Sequence, residues 1–263
     1  MNERMVDVQR FLEYCFLKQY YIEPPGRAGA NSAHLLDVIN TYSPEIIIKA
    51  GVGSGALLVE MAKTTKSRIV VVDPSISIIR KFIKNYGSVP EIKDISFVAG
   101  DFNGFPIDYY AADMIIAIDN ISFIESSSAI DEFRRALQFE GILYISTPVL
   151  STADEEGVFD DYMRMLFPLH NEFYMEDELK TVMELNEFNL VKGNTESFSE
   201  TASEQAAFFG GLYDDRSSEC AQFIDSRLGL LASCYGFNNG SFSLPYYSGV
   251  FRRVKTDDVY EKR

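Results

Sequence analysis

The feature that most constrains this chain is the run Ile46-Ile47-Ile48-Lys49-Ala50-Gly51-Val52-Gly53-Ser54-Gly55-Ala56. Apolar residues broken only by Lys49 read as a buried strand. Glycines at alternate positions then force a tight turn ahead of the helical pattern Leu57-Leu58-Val59-Glu60-Met61-Ala62. Glycine is required at such a turn because a Cβ would obstruct both a positive-φ backbone and the approach of a ligand. The succeeding helix offers unpaired N–H groups and a partial positive charge. The turn is therefore a candidate cradle for a nucleotide that presents oxygen atoms or a carboxylate.

Beyond the turn, strand and helix alternate. Arg68-Ile69-Val70-Val71-Val72-Asp73 is a second short strand ending in a carboxylate, and alternation of this kind implies a parallel pair with a right-handed crossover. An acid about 20 positions beyond the first glycine lies beside a nucleotide's ribose in such a unit, which nominates Asp73. The structural alternative is a carboxylate capping the helix that begins near Ser75, next to Pro74. A third strand, Ile95 to Ala99, closes on Gly100-Asp101-Phe102. Asp101 is placed to accept the exocyclic amine of an adenine while Phe102 packs on the ring, and a turn-forming aspartate is the alternative. The fourth strand, Ala112 to Asn120, delivers Asp119 and Asn120 at its end; a helix over 130–137 and a strand from Gly141 to Thr147 complete the series.

Upstream, Phe11, Leu12, Tyr14, Cys15 and Phe16 belong to an apolar set at helical spacing over residues 3–20. The prolines and glycines of the stretch from Tyr20 to Asn31 predict a loop, with Asn31 or Ser32 capping a helix through Ile39. Downstream, residues 154–174 mix acids with aromatics, Glu176 to Phe188 reads as a helix, and Asn189 to Gly193 begins a late strand. A mostly helical stretch from Glu196 to Asn239 separates it from a strand over Tyr246 to Val254.

Composition narrows the function classes. A formal charge of -15 over 263 residues repels polyphosphate backbones and anionic membranes, so neither nucleic acid nor a lipid surface is the expected partner. Cys15, Cys220 and Cys234 have no CxxC spacing and predict free thiols in a reducing compartment, with no metal site. Met1-Asn2-Glu3-Arg4 leads into an amphipathic stretch, and no window approaches the ~20 apolar residues of a bilayer span, so the expected location is cytoplasmic.

Parallel strand-and-helix units, a GxGxG turn after the first strand, an acid ending the second and Gly-Asp ending the third resemble the class I S-adenosylmethionine-dependent methyltransferases of small molecules. The resemblance implies an α/β fold: a Rossmann-like, doubly wound, seven-stranded and mostly parallel sheet with an antiparallel last strand and helical lid insertions. As one domain, residues 1–45 would form an N-terminal cover, 46–150 the cofactor-binding core, 151–240 a helical cover with a late strand, and 241–263 the last strand and tail. It also implies S-adenosylmethionine as cofactor, with Gly51, Gly53 and Gly55 at its methionine part, Asp73 on the ribose, Asp101 and its neighbour Phe102 at the adenine, and the stretch from Ala117 through Asp119 and Asn120 beside the sulfonium. One position departs from the pattern. The family carries Asp or Glu two residues before the first glycine, to hold the cofactor's ammonium, and this chain has Lys49. A lysine there repels the ammonium or meets the cofactor's carboxylate.

Methyl transfer needs alignment and exclusion of water more than a triad or a metal. Were a base required, the histidines are His34 and His170; His170 lies in the expected lid, whereas His34 reads as a structural helix residue. Tyr20, Tyr21 and Tyr247 are candidates for lining a substrate pocket. Two other readings share these residues. An NAD(P)-dependent oxidoreductase also uses G-x-G-x-x-G/A and a ribose acid, although Tyr14 to Lys18, with Tyr-x-x-x-Lys spacing, falls before the nucleotide unit. The other is a non-catalytic binding protein of methyltransferase fold, for which Lys49 is the main support.

Overall fold

The computed structural model describes residues 10–15, 27–121, 126–213 and 216–255. Residues 10–15 are helical. After them come α1 (Arg27–Tyr42), β1 (Ile46–Ala50), α2 (Ala56–Thr64), β2 (Arg68–Asp73), α3 (Ile76–Tyr86), β3 (Ser96–Ala99) and β4 (Ala112–Ile118). The second half contributes α4 (Ser126–Ala136), β5 (Leu137–Pro148), α5 (Val158–Leu166), α6 (Glu176–Leu185), β6 (Phe188–Thr201), α7 (Ala202–Gly210), α8 (Ser217–Tyr235) and β7 (Ser241–Arg253).

The strands form one seven-stranded sheet in the order β3-β2-β1-β4-β5-β7-β6. β1 to β5 run parallel, and β7 lies antiparallel between β5 and β6. This is the Rossmann-like, mostly parallel sheet with an antiparallel last strand that the resemblance implied. The order reverses between β1 and β4, and open sheets bind ligands outside the carboxyl ends of the strands at such a point.

Alternation along each strand assigns the faces. Ile48 and Ala50 pack with Val70, Val72 and the α4 residues Ile130 and Phe133; Ile47 packs with Ile69, Val71, Leu58 and Phe82 on the other side. Lys49 shares the face of Ile47, and in a central strand covered on both sides it is only 3% exposed. A third apolar cluster joins Phe11 to α5, α7, α8 and the first half of β7, making a helical cover beyond the carboxyl edge. Tyr246 pairs with Pro148 at the end of β5, which places this cover beside that edge.

Several boundaries differ from expectation. α1 begins at Arg27, inside the stretch read as a loop, because Ala28 and Ala30, strong helix formers, flank Gly29. α4 begins at Ser126, and β5 starts directly at its end. β6 extends to Thr201, well into the stretch expected to be helical, because it pairs with β7 along its whole length. The cysteines are free, with Cys15 and Cys220 buried.

Candidate functional site

At the carboxyl edge the glycine turn adopts the backbone its sequence demands: φ is +81° at Gly51, +69° at Gly53 and +86° at Gly55. Gly51 N donates to Val72 O at 2.7 Å, latching the turn to the end of β2. Gly55 is the N-cap of α2 and supplies no side-chain cap, so N–H groups of the helix's first turn remain for a ligand. A Cβ on Gly51 would have Phe102 Cζ, at 3.9 Å, as its nearest neighbour, so glycine keeps this side of the turn open.

Asp73 sits directly beneath the turn, 2% exposed. Its Oδ2 accepts from Val52 N and its Oδ1 from Ser75 N, each at 2.8 Å. Burial pushes the carboxyl above the ordinary aspartate range, opposed by those N–H groups and by the charge of Lys49. A carboxylate has about four lone-pair sites, so a pair of sugar hydroxyls can still be met. The capping alternative is served by another group: Ser75 Oγ accepts from Ile78 N and caps α3.

Lys49 reaches along the turn, and its Nζ donates to Gly51 O at 2.6 Å. It neither turns to solvent nor leaves the sheet. A positive charge thus stands where the resemblance implied a negative one.

Across the crevice Asn120 Nδ2 donates to Ala50 O at 3.1 Å, and Asp119 N donates to Ser146 O at 2.8 Å from a left-handed backbone of φ +55°. These bonds tie the end of β4 to β1 and β5 at the point where the sheet order reverses. Asp101 is half-buried and accepts from Asn103 N at 3.2 Å, forming the turn after β3. Phe102 is 6% exposed and packs with Ile48, Ala50, Val70 and Val72, so its ring belongs to the core and does not stack on a base; its backbone is what remains at the edge.

The helical residues 10–15 connect this edge to the cover. Glu13 Oε1 accepts from Ser75 Oγ at 3.2 Å and its Oε2 pairs with Lys81 at 3.3 Å, while Phe11 packs on Phe167 at 4.3 Å. Glu13 went unrecognised in the sequence because nothing distinguishes it from a solvated charge on an amphipathic helix.

Two candidates lie elsewhere. The His170 side chain is fully buried, its Nε2 2.7 Å from Asp160 Oδ1, which also accepts from Phe173 N at 2.8 Å. Arg164 holds the other carboxylate oxygen of Asp160 at 2.5 Å. With no exposed surface this ring cannot reach an acceptor in the crevice; it pins the segment after α5 to that helix. His170→Ala is expected to cost about 2 kcal/mol in urea unfolding, by leaving Asp160 short of a partner, without altering affinity for a nucleoside ligand. Tyr247 is likewise fully buried, among Phe251, Leu179 and Met183, which removes it from the pocket; burial pushes its hydroxyl up to about 12. Tyr20 and Tyr21 lie outside the described residues. His34 lies on α1, its Nδ1 3.2 Å from Tyr144 Oη. Among the described residues no group of His, Cys, Asp or Glu is placed to hold a metal, and no helix is long and apolar enough to cross a membrane.

The sheet order, the left-handed glycine turn and the acid ending β2 define a class I methyltransferase fold. Residues 47–141 match a family model described as a methyltransferase domain. Comparison with curated protein sequences returns no match. Among solved structures, a protein of Bacillus halodurans C-125 assigned as a methyltransferase superposes with a TM-score of 0.76 at 15% identity, covering 86% of this chain and 100% of its own. The YcgJ protein of Bacillus subtilis gives 0.71 at 12%, covering 86% and 99%. Geranyl diphosphate C-methyltransferase of Streptomyces coelicolor A3(2), in complex with Mg2+, geranyl diphosphate and S-adenosyl-L-homocysteine, gives 0.60 at 14%, covering 87% and 80%. At these identities the likeness is one of fold.

Proposed function

We propose that this chain transfers the methyl group of S-adenosylmethionine to a small organic acceptor. The observation that carries the reading is the turn of three left-handed glycines standing over a buried Asp73 at the switch point of a class I sheet. The residues present fit the cofactor. Glycine keeps the cradle open at Gly51, Asp73 has lone pairs left for the ribose hydroxyls, and Asp101 with the Phe102 backbone would hold the adenine. Asp119 and Asn120 would stand beside the sulfonium, and Lys49 would meet the cofactor's carboxylate. When bound, the cofactor supplies a methyl group on an activated sulfonium carbon. The chain's own part is to align the acceptor for in-line displacement and to keep water out, which accounts for about 7–11 kcal/mol in favourable cases and requires neither metal nor triad. The aromatic cover and the charge of -15 support a small molecule over nucleic acid or membrane as the partner.

Calorimetric titration with S-adenosylmethionine, S-adenosylhomocysteine and NAD(H) tests this. The first two are expected to bind, and Asp73→Asn, which keeps only one acceptor oxygen, to weaken them about tenfold. Binding of NAD(H) alone would replace the reading with an oxidoreductase, against which stands the antiparallel β7 inserted between β5 and β6, absent from the dinucleotide-binding strand order. A second reading, a non-catalytic binding protein on this fold, is favoured by the Lys49 ammonium bound to Gly51 O. It predicts that neither sulfur compound binds.

A further inference from the structure

The opposite edge of the sheet holds a cavity of about 660 Å³. β4 and β5 begin there and β7 ends there, whereas the glycine turn lies past the end of β1, roughly 20 Å away at ~3.3 Å per strand residue. The volume lies in the range of about 300–1,000 Å³ that small-molecule sites occupy. Its aromatic lining is unusually open for such large rings: Tyr109 is 68% exposed, Tyr110 47% and Phe139 41%.

The charges of the lining are of two kinds. Arg134 pairs with Asp131 at 3.1 Å and Glu187 at 3.2 Å, and Arg135 pairs with Glu132 at 2.9 Å, so the acids are engaged by these two arginines. Arg253 and Lys255 have no acid partner among the described residues. The Arg253 guanidinium lies 4.8 Å over Tyr110 and 4.4 Å over Phe139, and the Lys255 ammonium 5.5 Å over Phe139. Arg253 is only 6% exposed; its Nη1 donates to Leu137 O, and its Nε is buried with no hydrogen-bond partner among the described residues. That Nε is closed off from the cavity; what Arg253 offers a ligand there is a positive charge with no acid beside it among the described residues.

We propose that this cavity binds an aromatic phosphomonoester of mononucleotide size, its phosphate between Arg253 and Lys255 and its ring against the exposed Tyr109. A phosphomonoester carries about -1.5 to -2 charges near neutral pH, matching the two cations that have no acid partner among the described residues. Open aromatic rings supply a stacking surface for a planar base. Nothing in this assignment depends on methyl transfer, since the two sites occupy opposite edges.

The test is calorimetric titration of the whole protein with adenosine 5′-monophosphate, inorganic phosphate, adenosine and O-phosphotyrosine. Adenosine monophosphate is expected to bind at least about tenfold more tightly than phosphate or adenosine alone; tighter binding of O-phosphotyrosine would name a phosphoaryl group as the source of the same chemistry. Lys255→Glu, at a position clear of the sheet pairing, is expected to weaken binding about tenfold or more by placing a negative charge beside the phosphate. Asp73→Asn, at the other edge, should leave it unchanged. Failure of every phosphomonoester to outbind phosphate would overturn the proposal. So would loss of binding in Asp73→Asn with none in Lys255→Glu, which would place the ligand at the glycine turn.

Discussion

Gly55→Ala is expected to destabilise the fold by about 2–5 kcal/mol, read as a lower urea midpoint, and Gly51→Ala by much less. Both positions have left-handed backbone, so each alanine bears the Cβ penalty of about 1–2 kcal/mol. Their surroundings separate them. A Cβ at Gly55 would lie 2.8 Å from Phe82 Cδ2 and 2.9 Å from Tyr86 Cε2. Phe82 has no room to withdraw: it is fully buried, with Tyr86 at 5.1 Å and Phe97 at 5.3 Å between ring centroids. Overpacking a site like this typically adds about 1–3 kcal/mol. At Gly51 the nearest atom is Phe102 Cζ at 3.9 Å, an ordinary contact, so the protein should remain folded while the new methyl group fills the cradle. Gly51→Ala should therefore lose S-adenosylmethionine binding while its unfolding transition falls only by the ~1–2 kcal/mol of the left-handed backbone. If instead Gly51→Ala bound the cofactor as well as the parent does, the turn would not be the cofactor's seat.

The contrast between these glycines also marks what could be read from the sequence. The turn and its parallel neighbours were legible because each rests on a local requirement: positive φ at alternate glycines, and short apolar runs closed by Gly51, Asp73 or Gly100. The direction of Lys49 was legible in principle. It shares a face with Ile47, and a central parallel strand is covered on both faces, so that side chain had nowhere exposed to go. Residues whose role depends on distant packing could not be placed. His170 and Tyr247 carry suitable chemistry, but their burial is set by Asp160, Phe173 and Leu179. β6 is an edge strand with Lys192, Asn194, Thr195 and Glu196 in close succession; it lacks the alternation of a half-buried strand, and its length is set by β7. Arg253 gave no signal, because Arg252-Arg253 reads as a solvated pair until Tyr110 and Phe139 are brought around it.

Lys49→Met is expected to weaken S-adenosylmethionine binding about a hundredfold, near 2.7 kcal/mol, the scale of a lost hydrogen bond to a charged group. The argument turns on sign. The ammonium is held on Gly51 O at 2.6 Å, so its charge already stands at the turn when a ligand enters. A ligand whose methionine end carries both an ammonium and a carboxylate must bring one of them toward this charge, and a low-dielectric site magnifies whichever interaction results. If the carboxylate approaches, Lys49 replaces the family acid by inverting the arrangement: the protein supplies the cation and the cofactor the anion. A decarboxylated S-adenosylmethionine should then bind the parent far more weakly, while Lys49→Met binds both compounds alike, because the two changes remove the same contact and are not additive. If the ammonium approaches, Lys49→Met tightens binding instead, and Lys49→Glu tightens it further by restoring the family's own acid. That second pattern would make Lys49 a brake on cofactor binding and would move the balance toward the non-catalytic reading. Removing the lysine also withdraws a charge that lowers the pKa of the Asp73 carboxyl, so part of any loss will come through the ribose site. Titration of the double variant Lys49→Met/Asp73→Asn separates that part, since a loss carried entirely through Asp73 would leave the double variant no weaker than Asp73→Asn alone.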